Sequence, residues 1–266
     1  VSIVLIAHLL RSISWSTLIP NASFLKDGAG KRIFPEWFRL AERPHLRRGA
    51  SSAHFDSEGV ATAERDLVDA GVLTGYVLSS YTARRLGLET TGNAGGARNL
   101  RVAPGGDGDG DLLAAMGDGF YVTEVMGQGV NLVTGDYSRG AAGYRVRDGR
   151  IEHPVEEVTI AGNLADMFRD IVAAGEDIDT RGNIHSGGLL IRRLAEREGR
   201  LEGAVEVVQV VQACPYRNGA VQHRRALPDN LRQRDAGEYL GVDQRHHALF
   251  PDGSGGASLG RTRDHQ

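Results

Sequence analysis

The stretch Met126–Gly143, MGQGVNLVTGDYSRGAAG, most constrains what this chain can fold into. It places five glycines within eighteen residues, and a plain core strand has no use for so many. Glycine at this density marks backbone that turns through φ > 0 or lies close against another chain segment. From the stretch alone two readings stand side by side. It is a binding edge, or it is a tight bulged hairpin.

Its neighbours are strand-like. Phe120–Val125 leads into it as a β run, and Tyr144–Ile151 leaves it as a hairpin with Asp148-Gly149 at the turn. Val155–Ile160 supplies another strand. Asn163 then caps a helix whose apolar stripe is Leu164, Met167, Phe168, Ile171 and Val172, closed by Gly175. Gly188–Ile191 reads as a last strand. Upstream, Ile3, Ile6, Leu10 and Ile13 predict a mostly buried helix over residues 3–13. Val72–Leu78 reads as a strand or hairpin arm, and Tyr81–Leu86 as a short helix capped by Ser79 or Ser80 and ended by Gly87. Leu100–Val102 is a short strand, and Leu112–Met116 one or two helical turns stopped by Gly117. The fold class is therefore α+β, strand-rich and mostly antiparallel, with a few short helices and one amphipathic helix at 164–174.

Motifs that promise chemistry fail on spacing. Lys26–Lys31 lacks the Gly at position 25 and the Ser or Thr at position 32 that a P-loop requires, so it reads as a turn. Thr90–Asn99 is glycine-rich but precedes a strand, whereas a dinucleotide fingerprint precedes a helix. GGDGDGD at 105–111 imitates a calcium loop, but counting Asp107 as position one the sixth residue is Leu112 and the twelfth Asp118, so a solvated flexible loop is expected. His8 has no partner at the spacing of a zinc helix and reads as structural. Ser138 sits one residue away from a nucleophile elbow, which speaks against a stand-alone hydrolase.

Composition closes other classes. Net charge is −3 with a pI near 6.3, which gives no general basic surface for nucleic acid. No apolar run reaches the roughly 18 residues of a membrane span. The single Cys214 excludes an internal disulfide framework and a Cys-rich zinc site, so a reducing, cytoplasmic setting is expected. The apolar opening Val1–Ile6 has neither an initiator Met nor the layout of a signal peptide, so the chain is expected to begin inside a longer protein. Beyond about residue 196 the character changes. After the apolar run Val205–Val211 the chain is rich in Arg, His, Gly and Asp, and most of 212–266 is expected to be disordered.

Several segments in order carry a family resemblance: Ser23-Phe24-Leu25, Phe55–Gly59, Ser80–Arg84, Thr91–Gly96, Glu124–Asn131, Gly135–Gly143 and Thr159–Leu164. Over residues 1–195 the chain resembles the C-terminal domain of the PmbA (TldE) side of the TldD/PmbA peptidase family, whose members are also described as modulators of DNA gyrase. The resemblance implies a cytosolic protein that lacks the family's N-terminal half. It further implies that the TldD side carries a zinc-binding H-E-x-x-x-H helix and a late Cys ligand, and pairs with the PmbA side in a heterodimeric protease of unfolded or short peptides. Here the metal helix is replaced by Ala7-His8-Leu9-Leu10-Arg11-Ser12, and Ile184-His185-Ser186-Gly187 stands near the late Cys. Zinc is thus expected on a TldD-like partner, with no cofactor in this chain. The expected role is a non-zinc subunit whose glycine-rich strands line a peptide-holding cavity, with main-chain hydrogen bonds giving affinity. Asn93, Gly95, Gly96, Glu124, Gly127, Gln128, Gly129 and Asp136 are the candidates to contact peptide or partner. Turn capping and Asx hydrogen bonding are their plain alternative. A non-proteolytic protein binding gyrase or another partner is the other functional reading.

Overall fold

The computed structural model describes residues 1–107 and 111–192, together with the backbone of two further strands at 195–198 and 208–211. Helix α1 (Ser2–Ser12) opens the chain and turns Leu5, Ile6, His8 and Leu9 inward. A short α2 (Trp15–Leu18) follows, then strands β1 (Leu40–Glu42), β2 (Arg65–Asp69) and β3 (Val72–Leu73). Helix α3 (Ser80–Leu86) has the predicted ends. Ser79 and Thr82 form a capping box, and Gly87 takes the left-handed conformation at φ 68°. Then come β4 (Leu100–Val102), β5 (Gly105–Gly106) and α4 (Leu112–Met116), which Asp111 caps through two backbone amides. The long strands β6 (Gly119–Met126), β7 (Asp136–Arg147) and β8 (Arg150–Asn163) form a meander with the predicted Asp148-Gly149 turn. Helix α5 (Leu164–Arg169), β9 (Ile171–Ala174), β10 (Ile184–His185), β11 (Leu189–Ile191), β12 (Ala195–Glu198) and β13 (Val208–Val211) complete the described chain.

The strands build two sheets. One has the order β10-β4-β1-β2-β3, the other β12-β8-β7-β6-β13-β11-β9-β5. Only the β10–β4 and β13–β6 pairings are parallel. The α+β, mostly antiparallel expectation holds. A single apolar cluster takes Leu5, Ile6 and Leu9 from α1, Leu40, Leu67 and Leu100 from the first sheet, and Phe120, Val158 and Ile160 from the second. Phe34 stacks on Phe38 at 4.2 Å and on Phe168 of α5 at 4.9 Å, which ties the helix to the first sheet's approach segment.

Four local expectations need correction. The helix expected over 164–174 stops at Arg169, and Ile171–Ala174 becomes β9, paired with both β11 and β5. Its stripe is compatible with either period over so short a run, and the two waiting strand edges decide. The Val72–Leu78 strand ends at Leu73, because Thr74 bonds back to β2 and the Val77 amide donates to Ile13 at the end of α1. The 105–111 loop is not free throughout. Gly105 and Gly106 pair with β9, and a Cβ on Gly106 would lie 2.2 Å from the Val172 carbonyl oxygen. Leu189–Ile191 is followed by β12 and β13, and β13 lies between β6 and β11. Cys214 and the adjacent His246 and His247 lie outside the described residues.

Candidate functional site

Burial along β6 reads buried through Val122 and then alternates toward solvent, so Glu124, Met126, Gly127, Gln128 and Gly129 are all exposed. A register shift between Val122 and Glu124 opposite β7 sets this change of environment, and Thr123 Oγ1 donates to the Ala142 carbonyl there. The chain then folds back on itself in a tip held by its own groups. The Ser138 amide donates to Gly129 at 2.7 Å, and the Asn131 amide donates to Asp136 at 2.8 Å. Asn131 Oδ1 accepts from the Val133 amide, and Thr134 Oγ1 donates to the Asp136 carboxylate at 2.6 Å. Asn163, the cap of α5, reaches across to the Thr134 carbonyl and to Asp136. Asp136 is thus an exposed residue at the start of β7 whose carboxylate is held by the side chains of Thr134 and Asn163, while Asn131 makes the Asx turn. Gly129 is required by close approach, since a Cβ there would sit 1.8 Å from the Ser138 carbonyl oxygen. Glu124 and Gln128 make no side-chain hydrogen bond among the described residues and face solvent. Ser138 lies in mid-strand rather than at a strand-to-helix turn.

Under the tip sits His8. It is 7% exposed, and neither ring nitrogen has a hydrogen-bond partner. Its ring meets Tyr137 edge-on with centroids 6.0 Å apart. Desolvation first, then the charges of Arg139 and Arg11, lower its pKa to about 4, so it is neutral at pH 7. Burial raises the Tyr137 phenol, partly offset by Arg139. Among the described residues no group of three or more His, Cys, Asp and Glu is arranged to hold a metal. A lone imidazole walled by apolar side chains does not fit a zinc centre, which needs three or four donors.

Asn93, Gly95 and Gly96 stand elsewhere, at a corner of the five-stranded sheet. Asn93 is 6% exposed. Its Nδ2 donates to Glu42 Oε1 at 2.7 Å, and its Oδ1 accepts from Arg65 at 2.7 Å. Glu42 also accepts from Arg65 Nε at 2.9 Å and from the Arg98 amide at 2.7 Å. Beside this network Asp56 accepts from the amides of Ala94, Val60 and Glu58. Burial works against its charge, yet those three amides and the Arg98 charge together hold the carboxyl below its ordinary pKa. Glu58 in turn accepts from the Ser80 amide at the start of α3. Gly95 packs against Ser57, while Gly96, at φ 104°, faces open space. No hydrogen bond given for the described residues joins this corner to the β6–β7 tip. Sequence reasoning did not find Glu42 or Arg65. Nothing in the local spacing signals a pair brought together only by the β1–β2 pairing.

A third feature is a cleft of about 540 Å³ between the Asn21–Ile33 segment and α5. It abuts the tip, because the Phe24 amide donates to the Leu132 carbonyl at 2.9 Å.

Comparison with known proteins gives a consistent family. Residues 1–196 match the family model for the PmbA/TldA metallopeptidase C-terminal domain. The chain is 51% identical over 187 residues to Metalloprotease PmbA of Escherichia coli O157:H7, covering 70% of this chain and 42% of that protein. It is 48% identical over 191 residues to a Metalloprotease PmbA homolog of Haemophilus influenzae, covering 71% and 42%. The chain therefore spans less than half the length of these relatives. Among solved structures, a candidate modulator of DNA gyrase from Thermotoga maritima superposes with a TM-score of 0.64 at 36% identity, covering 70% of this chain and 45% of that one. TldE from Thermococcus kodakarensis, at 20% identity and a TM-score of 0.54, shares the fold.

Proposed function

This chain belongs to the PmbA/TldA metallopeptidase family, and from that membership we propose that it acts as the non-zinc subunit of a two-chain zinc peptidase in the cytoplasm. In this reading a TldD-like partner supplies the metal and the scissile chemistry. The present chain holds an extended, unfolded peptide against the β6–β7 tip. The observation that supports it best is the exposed run Glu124–Gly129. Its side chains at Glu124 and Gln128 face solvent without partners among the described residues, on a family domain whose first helix offers only His8 as a donor. Beyond Val122, β6 has only β7 beside it among the described pairings, and extended peptides bind by main-chain hydrogen bonds to such an open side, with modest side-chain selectivity. Asn93, Gly95 and Gly96 then serve their own corner of the five-stranded sheet, since Asn93's amide is engaged internally.

The test is proteolysis of an unfolded polypeptide by the purified protein, alone and with its TldD-like partner and zinc. The proposal expects cleavage only in the mixture, and at least a tenfold loss when Glu124 and Gln128 are both replaced by Arg. Cleavage by this protein alone, without partner, would overturn it. No cleavage in any mixture favours the second reading, a non-proteolytic binding protein. That reading draws its support from the gyrase-modulator description of the Thermotoga structure.

A further inference from the structure

The cleft beside the tip has a charge opposite to that of the chain. The protein carries −3 overall, yet the cleft is lined by Lys26, Lys31, Arg32 and Arg169 against the single carboxylate Asp27. Two of these cations are already engaged at the surface. Arg32 pairs with Glu36 at 3.1 Å and Arg169 with Asp166 at 3.4 Å, all four side chains being more than half exposed. Lys26 and Lys31 have neither a carboxylate partner nor a side-chain hydrogen bond among the described residues. Buried Leu25 and Ile33 also line the cleft and give it an apolar component. Its volume falls within the roughly 300–1,000 Å³ typical of ligand sites.

Two contacts tie the cleft to the tip that carries the proposed peptide edge. Phe24 lines the cleft and donates its amide to Leu132 of the tip, while α5, whose Arg169 lines the other side, is capped by the same Asn163 that grips Thr134 and Asp136. A chain lying along Gly127–Gly129 therefore has this basic cleft within the same lobe. We propose that the Lys26–Lys31 cleft is a subsite for acidic side chains of a bound peptide, so that this subunit selects extended segments bearing Asp or Glu. The inference rests on the peptide-holding reading and adds the charge of the substrate to it. A peptide fits better than a free anion. The lysines are exposed charges on flexible stems, and the amides of Lys26, Gly28 and Lys31 are already spent on the Ser23, Leu25 and Gly28 carbonyls rather than closing on a single phosphate. Nucleic acid is disfavoured by the chain's negative balance.

Fluorescence anisotropy with the whole protein tests this. Three labelled decapeptides of one sequence carry Glu, Gln or Lys at two positions, and each is titrated at low and at high salt. Exposed cation–carboxylate contacts predict a roughly five- to tenfold preference for the Glu peptide over the Gln peptide at low salt, lost at about 0.5 M salt. The Lys26→Glu/Lys31→Glu variant, both positions being exposed, should keep its circular dichroism and its affinity for the Gln peptide while losing the preference. Equal binding of the Glu and Gln peptides, or a preference that survives in the double variant, overturns the inference and leaves the peptide-holding reading standing. Displacement of the Glu peptide by millimolar inorganic phosphate overturns it in favour of a phosphate site. If no peptide binds at all, the broader reading falls with it.

Discussion

At the Asn93 corner, a glycine-rich loop folds over a carboxylate that is 2% exposed, and the polar groups around it are spent on one another. At the β6–β7 tip, an equally glycine-rich segment folds back on its own backbone and leaves Glu124 and Gln128 to solvent. Glycine density is common to both, so density does not distinguish a structural corner from a binding edge. What distinguishes them is where the side-chain polar groups end. At the corner they end inside the protein; at the tip those of Asn131, Thr134 and Asp136 are spent within the turn, and those of Glu124 and Gln128 end in solvent.

The sharpest way to break this contrast is Glu42→Ala. It leaves the Arg65 guanidinium, the Asn93 amide and the Arg98 N–H without their shared acceptor. Losing one member of a buried ion pair costs about 3–5 kcal/mol. Urea unfolding of the protein should show that loss with an unchanged slope. A loss below about 1 kcal/mol would mean the corner is as open as the tip.

Next in size is the acid behaviour of His8, which supports the tip from below. Its pKa falls from 6.5 to about 4 on folding, because burial and the charges of Arg139 and Arg11 disfavour the imidazolium. The folded state therefore binds fewer protons than the unfolded one between those values. Stability from this group is complete above pH 6.5 and is lost as pH falls through 4, by up to about 3 kcal/mol. The His8→Leu variant removes two unpartnered nitrogens, so it should be at least as stable at pH 7 and lose less between pH 6.5 and 4. An unchanged pH profile in the variant would show that the imidazole is not the group responsible.

These two residues also show how far the sequence could be read. Elements with strong local signatures were legible: the capping box and Gly87 of α3, the Asp148-Gly149 hairpin and the presence of α1, although the helix buries Leu5, His8, Leu9 and Ser12 and leaves Ile3 and Leu10 of the expected stripe half-buried. The failures share one cause. Ile171–Ala174 is a strand because β11 and β5 flank it, and Gly105–Gly106 because β9 offers it an edge, and no window of sequence contains those pairings. The site was legible unevenly for the same reason. Glu124, Gln128 and Asp136 are exposed as a tip requires, whereas Asn93's engagement depends on Glu42 and Arg65, 51 and 28 residues away in sequence. The basic cleft was read only as a turn at Lys26–Lys31. Its other wall, Arg169, arrives from the far end of the chain.

A smaller effect is expected from Gly143→Ala. The new Cβ would lie 2.0 Å from the Tyr121 carbonyl oxygen in the buried root of the meander, so β6 and β7 must part slightly. Overpacking of this kind costs about 1–3 kcal/mol. If the two regions differ as argued, the loss should appear in hydrogen exchange of the β6–β7 amides and leave Asn93 and Ala94 protected.

The smallest effect on stability carries the most information about function. Glu124→Ala and Gln128→Ala remove exposed side chains that make no hydrogen bond or ion pair within the described chain, so each should change unfolding free energy by less than about 0.5 kcal/mol. A residue retained for folding at so exposed a point would have to cost more than that. In the reconstituted peptidase the same two variants should weaken peptide affinity several-fold while the partner's turnover of bound peptide is kept, because the contacts they remove are made with bound peptide and not with the reacting bond. Loss of stability without loss of affinity would make the tip a second corner, with glycine there serving packing alone. Loss of affinity at constant stability would separate the two regions by function as well as by burial.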